Sequence, residues 1–439
     1  MSDERPRFFY GWVIVLTSGV GLLLGYAPVF VYSFSVFIKS LAQDFHASRT
    51  SISFAFTLAN LMQSIGAPLI GRLVDRFGVR RVVVPSTVIF GLILISFKYF
   101  STSLWQLYAF FIVIGFIGTG AAPVPYGIVV SRWFDKRRGL ALGLMMMGLS
   151  CGAILMPPIG QRLIILFGWR TAYAIVGLVV LAISVPIVGI FLKDSPEKIG
   201  LEPDGLPHLN AKPEDRTEHQ GVNWPVARMQ PTFWFLATAF FLVGASVHAC
   251  VIHLVPMLTD HGISVERAAF ASSLLGVALL IGRVFTGYFL DRFFGPYVAM
   301  LLFCGVAAGI FLLSTGAGGS LAMLAAFLVG LGMGAEADII AYLTSRYFGL
   351  RSFGEIYGYL FATFTLAGAL GPVLMGVGFD RLGSYRAPLL FFLAATLVAT
   401  ALLTRLGPYI YRPADHSERE TPGIAEGDHS HTRPFPDQC

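Results

Sequence analysis

The chain has 439 residues, of which 55% are hydrophobic and only 13% charged, with a mean hydropathy of +0.71. A soluble protein of this length carries about twice that charged fraction, so the composition describes an integral membrane protein with no sizeable soluble domain for separate chemistry. The formal net charge of +6 is spread over connections and tails, which fits membrane topology and not a nucleic-acid footprint.

Twelve apolar stretches, each long enough to cross about 30 Å of hydrocarbon, are expected near 10–37, 52–71, 82–100, 104–130, 139–166, 170–192, 232–258, 268–290, 296–315, 320–346, 356–380 and 386–409. The first is too long for a signal-peptide core and lacks a cleavage site, so it reads as the first span. Residues 193–231 are polar and rich in Pro and Gly, which marks a linker. The expected organisation is a six-helix bundle over 1–192, a cytoplasmic linker over 193–231, a second bundle over 232–411 and a disordered cytoplasmic tail over 412–439. An all-α polytopic protein follows.

The two halves repeat each other. DRFG at 75–78 recurs as DRFFG at 291–295, and SRWF at 131–134 recurs as SRYF at 345–348, at offsets of 216 and 214. Two unrelated landmarks with nearly one offset indicate internal duplication, and parallel six-helix repeats are a transporter architecture with the binding site near mid-membrane. Lys and Arg are in excess on the side that holds the N-terminus, which predicts cytoplasmic termini in a cell (inner or plasma) membrane. Cys151, Cys250, Cys304 and Cys439 have neither metal-ligand nor disulfide spacing. With no P-loop, nucleophile elbow or metal cluster, no enzyme chemistry, metal or organic cofactor is expected, and His429 and His431 are too few to make a site.

GRLVDRFGVRR, Gly71 to Arg81, resembles the signature between the second and third helices of the major facilitator superfamily. Gly71 allows close helix approach, and Asp75, beside Arg76, accepts hydrogen bonds from a neighbouring helix end. Gly287 and Asp291 repeat the device. WFDKRRGLALGLMMMGLSCG, Trp133 to Gly152, is similar to the fifth-helix signature of the monocarboxylate porters, with a related segment in the oxalate:formate exchanger branch. Phe134, Lys136, Arg137, Arg138, Leu140, Ala141, Gly143, Gly148 and Gly152 fit it. Two departures stand out: FFYGWVIV, Phe8 to Val15, keeps Gly11-Trp12 without the preceding acid, and GYAPVFVYSF, Gly25 to Phe34, has no cation. The first-helix lysine of many animal members is therefore missing.

Arg283 lies eight residues before Asp291 on the eighth helix, roughly 12 Å into the membrane. A charge that deep is costly unless it faces a partner or a water-filled cavity. The resemblance implies that it anchors the anion, and a guanidinium fork matches a carboxylate bidentately. The exchanger branch implies a second cation on helix eleven; here Phe364 stands at that place, which leaves one carboxylate and an apolar remainder. Glu336 and Asp338 on helix ten lie at a depth similar to that of Arg283, and at i and i+2 only one is expected to face it. Tyr32, Tyr126 and His253 are further substrate-site candidates, His253 with an alternative structural or gating role. Met145, Met146 and Met147 complete the apolar wall or simply pack, and Gly115, Gly118 and Gly120 serve close helix packing.

These residues predict a secondary active transporter of small organic monocarboxylates, working by alternating access as a proton-coupled symporter. An acid neutralises the empty arginine, yields to the arriving anion and takes up a proton. The expected partners are a small organic anion and the bilayer, with the monomer as functional unit. The alternatives are a carboxylate:carboxylate exchanger and a membrane carboxylate sensor without turnover; a channel or a drug exporter ranks below them.

Overall fold

The computed structural model describes residues 9–99, 103–205, 221–316 and 318–411. The tail assigned to 412–439, with Cys439, His429 and His431, lies outside them. Among the described residues the protein is built of helices, as it must be where no water reaches the backbone and every N–H and C=O is paired within its own segment. The N-terminal bundle comprises α1 (Gly11–Tyr32), α2 (Arg49–Phe77), α3 (Val79–Tyr99), α4 (Leu104–Trp133), α5 (138–167) and α6 (169–191). The C-terminal bundle comprises α7 (Pro231–Asp260), α8 (Val265–Leu290), α9 (Gly295–Ser314), α10 (Gly319–Phe348), α11 (Phe353–Leu382) and α12 (Arg386–Leu403).

Two details refine the expected spans. First, α5 and α6 form one continuous segment of 54 residues, Arg138–Phe191, about 81 Å if straight and far beyond one crossing. The chain turns at Gly168, where φ is 75° and ψ 160°, a left-handed conformation that glycine adopts without Cβ strain. Second, α1 does not end at residue 37. A π-helical turn over Ala27–Tyr32 leads into a further helix, Phe34–Asp44.

The duplication extends to the helix starts. Ser48 caps α2 by accepting from the Ser51 amide, and Ser264 caps α8 by accepting from the Arg267 amide. These serines are again 216 positions apart, so the repeated turn signatures sit at the ends of equivalent helices.

The bundles meet along α2–α11 and α5–α8, and through the ends of α4 and α10 nearest the Arg- and Lys-rich connections, called here the basic face. No comparable packing joins α1 to α7 among the described residues. The seams are tight because glycines face backbone. A Cβ on Gly71 would overlap the Gly354 carbonyl, and one on Gly287 the Gly139 carbonyl.

The linker is strapped at both ends. Asp194 accepts from the Arg80 amide at 2.8 Å, and Asp204 from the Lys136 amide at 2.8 Å. Burial alone would raise the Asp194 carboxyl, but the Arg80 amide, Lys198 and Arg132 outweigh it and hold it below the usual range. At the other end the Val222 amide donates to the Phe348 carbonyl, and Trp224 stacks on Tyr359 at 3.9 Å. One strap holds the first bundle, the other the second.

Candidate functional site

Arg283 on α8 and Asp338 on α10 form a buried ion pair, Nη1 donating to Oδ1 at 3.4 Å, with the two residues 4% and 1% exposed. The pair is incomplete: Arg283 Nε and Asp338 Oδ2 have no hydrogen-bond partner among the described residues. Its surroundings come from two further helices. Tyr32 of α1 and Tyr357 of α11 lie within electrostatic reach of Arg283, and the Tyr357 hydroxyl is buried and unpartnered. Removing one member of such a pair strands the other charge, at a cost of about 3–5 kcal/mol.

The helix geometry separates the two acids that sequence spacing left equivalent. Glu336 is fully buried and neither carboxylate oxygen has a partner. Asp338, two residues along and on another side of the helix, is the one that meets Arg283. The remaining candidates disperse. Tyr126 packs its hydroxyl over Gly21 of α1 inside the first bundle. His253 holds its ring between the second bundle's helices, with Nε2 3.0 Å from the Pro372 carbonyl and Nδ1 3.3 Å from the Tyr385 hydroxyl. Phe364 packs against Phe361 and His248. Met145 and Met146 are core residues of the first bundle. The structure thus groups Arg283 and Asp338, with Tyr32 and Tyr357 in electrostatic reach, while Tyr126 and His253 are engaged elsewhere and Glu336 is buried without a hydrogen-bond partner among the described residues.

The basic face is held shut by a reciprocal device. Asp75 at the end of α2 accepts from the Gly354 and Glu355 amides at 3.1 and 3.0 Å, at the start of α11. Asp291 after α8 accepts from the Gly139 and Leu140 amides at 2.6 and 2.9 Å, at the start of α5. Each carboxylate neutralises the positive end of a helix in the opposite bundle. Burial pushes the Asp291 carboxyl up to about 6, against the pull of those amides and of Arg346 and Arg138. Between these contacts Arg346 donates to the Asp135 carboxylate and carbonyl, both at 2.7 Å, and Arg138 donates to Ser345 Oγ at 2.9 Å. Arg72 pairs with Glu355 across the α2–α11 seam. Arg76 is cation–π stacked on Phe77, Lys136 offers its amide to Asp204, and Arg137 precedes the first turn of α5.

Three residues of this arrangement escaped the reading of the sequence. Tyr357 was not among the candidates. The motif repeat SRWF/SRYF contained Arg346 but gave no sign that it would reach Asp135. His248 carried a signal that was available, since adding 216 to Tyr32 lands on it.

A family model described as Major Facilitator Superfamily matches residues 18–372. The chain belongs to the Major Facilitator Superfamily. Monocarboxylate transporter 11 of Mus musculus is 27% identical to it over 394 residues, covering 88% of this chain and 85% of its own length. Monocarboxylate transporter 13 of Bos taurus is 26% identical, covering 92% and 91%. Among solved structures, the proton:xylose symporter XylE superposes with a TM-score of 0.70 at 16% identity, over 92% of this chain and 97% of its own. This major facilitator transporter is therefore caught with its basic face closed, its interbundle ion pairs and helix-end hydrogen bonds gathered there, and a charged pair buried behind them in the second bundle.

Proposed function

We propose that this transporter carries small organic monocarboxylates together with protons, by alternating access, with the basic face in the cytoplasm. The observation that supports the reading is the Arg283–Asp338 pair: a permanently charged fork, held deep in the membrane by one acid, with donor and acceptor capacity left over on both partners. An arriving carboxylate competes with Asp338 for the guanidinium, where a bidentate contact is stronger than the single bond it replaces. Asp338, deprived of its counter-ion in a place where a lone charge is costly, is stable only with a proton. Anion and proton then cross together without net charge, and release on the far side restores the ion pair. Tyr32 and Tyr357 lie within electrostatic reach of the guanidinium and carry hydroxyls that can donate to a bound anion. Similarity to monocarboxylate transporters 11 and 13 supports this cargo.

Movement between the two states requires the basic-face contacts to break. The Asp75 and Asp291 contacts are four hydrogen bonds between bundles, each worth roughly 1 kcal/mol net, so they bias the equilibrium without locking it. Exchange of two carboxylates is the second reading. Phe364 weighs against a dicarboxylate, because the position where a second cation would stand is aromatic.

The test is uptake of radiolabelled monocarboxylates into proteoliposomes, with and without an inward proton gradient and with and without internal anion. Accumulation driven by the gradient alone is the expected result; uptake that needs internal anion and ignores the gradient overturns symport in favour of exchange. No binding or uptake of any monocarboxylate overturns the cargo.

A further inference from the structure

Tyr32 and His248 occupy equivalent positions in the duplicated chain, 216 residues apart. Their surroundings agree: Pro28, one turn before Tyr32, packs on Gly152 of α5, and Gly244, one turn before His248, packs on Phe364 of α11. Tyr32, on α1 of the first bundle, lies within electrostatic reach of Arg283 on α8 of the second. By the same symmetry His248 belongs on the opposite wall between the bundles, on α7, which packs on α11, the helix that the Ser64–Thr365 hydrogen bond of 2.8 Å joins to α2.

The chemistry of His248 is fixed by its contacts. Nδ1 lies 2.8 Å from the Gly244 carbonyl, an oxygen that only accepts, so Nδ1 carries the proton and the neutral ring presents a lone pair at Nε2. Nε2 has no hydrogen-bond partner among the described residues, and His248 is only partly buried. Gly368 makes room for the ring, since a Cβ there would stand 3.1 Å from it.

Between His248 and the ion pair runs an aromatic column. Tyr357, within electrostatic reach of Arg283, meets Phe361 at 6.0 Å; Phe361 meets Phe364 at 5.9 Å; Phe364 meets His248 edge-on at 5.5 Å. From Tyr357 to Phe364 is seven residues of helix, about 10 Å. We infer that His248 Nε2 is a second substrate contact, accepting a hydrogen bond from a hydroxyl or N–H at the far end of an elongated, apolar-centred monocarboxylate whose other end is held by Arg283. The inference rests on the anion reading of Arg283, and it narrows the cargo from any small acid to one with a donor roughly 10 Å from its carboxylate.

The experiment compares 3-(4-hydroxyphenyl)propanoate with 3-phenylpropanoate, acids that differ only in that donor, in proteoliposomes of wild type, His248→Phe, His248→Gln and Arg283→Lys. Wild type is expected to take up the hydroxylated acid about tenfold more efficiently, the worth of one buried hydrogen bond. His248→Phe should lose that preference while still taking up 3-phenylpropanoate, which also reports that it is folded. His248→Gln, which keeps an acceptor, should recover most of the preference. A wild type without preference, or a preference that survives His248→Phe, overturns the His248 contact. Arg283→Lys should depress both acids alike; if it leaves both unchanged, or if wild type takes up neither acid, the anchor itself is wrong and the contact falls with it.

Discussion

The two halves carry the same latch and opposite interiors. Gly71 and Asp75 of α2 are matched by Gly287 and Asp291 of α8, and each acid holds the start of a helix in the other bundle. One turn beyond the glycine the match ends: Arg283 stands where the first half has Ala67. Ala67 is fully buried and its carbonyl lies against Gly358 of α11, so that seam is backbone packing. At the equivalent depth of the second half sit a guanidinium and its acid. Closure needs both halves to meet alike, whereas on the proposed reading one charged anchor serves one anion, and a second buried charge would have to be neutralised at further cost. Duplication preserved the mechanics and left the cargo chemistry free to differ.

That contrast breaks most severely at the charge. Arg283→Gln should abolish carboxylate uptake and destabilise the protein by roughly 3–5 kcal/mol, because Asp338 remains buried without a counter-ion; uptake assays and thermal unfolding in detergent measure the two effects. Asp338→Asn should remove stimulation by an inward proton gradient while anion exchange persists. If gradient-driven accumulation is unchanged in that variant, the proton travels by another route. Glu336→Gln is the control within the same helix, expected to keep proton stimulation, since Glu336 makes no contact with Arg283.

The mechanical half of the comparison predicts equality. Gly71→Val and Gly287→Val each push a side chain into backbone of the opposite bundle, an overpacking of about 1–3 kcal/mol. Both should weaken closure of the basic face to a similar degree, read as raised labelling of single cysteines placed on that face. A large effect in one half only would show that the latches are not equivalent.

The smallest effect is the pH dependence of one latch. The Asp291 carboxyl is raised to about 6 in the closed state, whereas an open, hydrated one returns toward the ordinary value near 3.9. The closed state therefore binds the proton more tightly. Acidification favours closure across roughly pH 4 to 6, and the contribution is lost as pH rises through the upper value. Asp291→Asn should flatten cysteine labelling against pH in that window.

Much of this was open to reading without coordinates. A run such as Leu279–Leu290 has to be a helix in hydrocarbon because its backbone has no other partner, and the recurrence of DRFG and SRWF fixed two six-helix halves. The depth of Arg283 followed from counting residues back from Asp291. Rotation about the helix axis did not. Glu336 and Asp338 differ by 3 Å in rise, and which one meets Arg283 depends on how α8 packs on α10, through contacts from glycines such as Gly334 to Leu279. Tyr126 and His253 were both candidates for the substrate site, and neighbours brought from distant parts of the chain, Gly21 for one and Pro372 with Tyr385 for the other, engaged them inside their own bundles. The sequence by itself determined where the chain forms helices of membrane-spanning length, where it repeats and how far along each helix its charges lie, because these depend on local composition and helix rise. Only the tertiary structure decided which charges face each other, because a helix surface turns through 100° per residue and the facing residue is set by close packing against other helices.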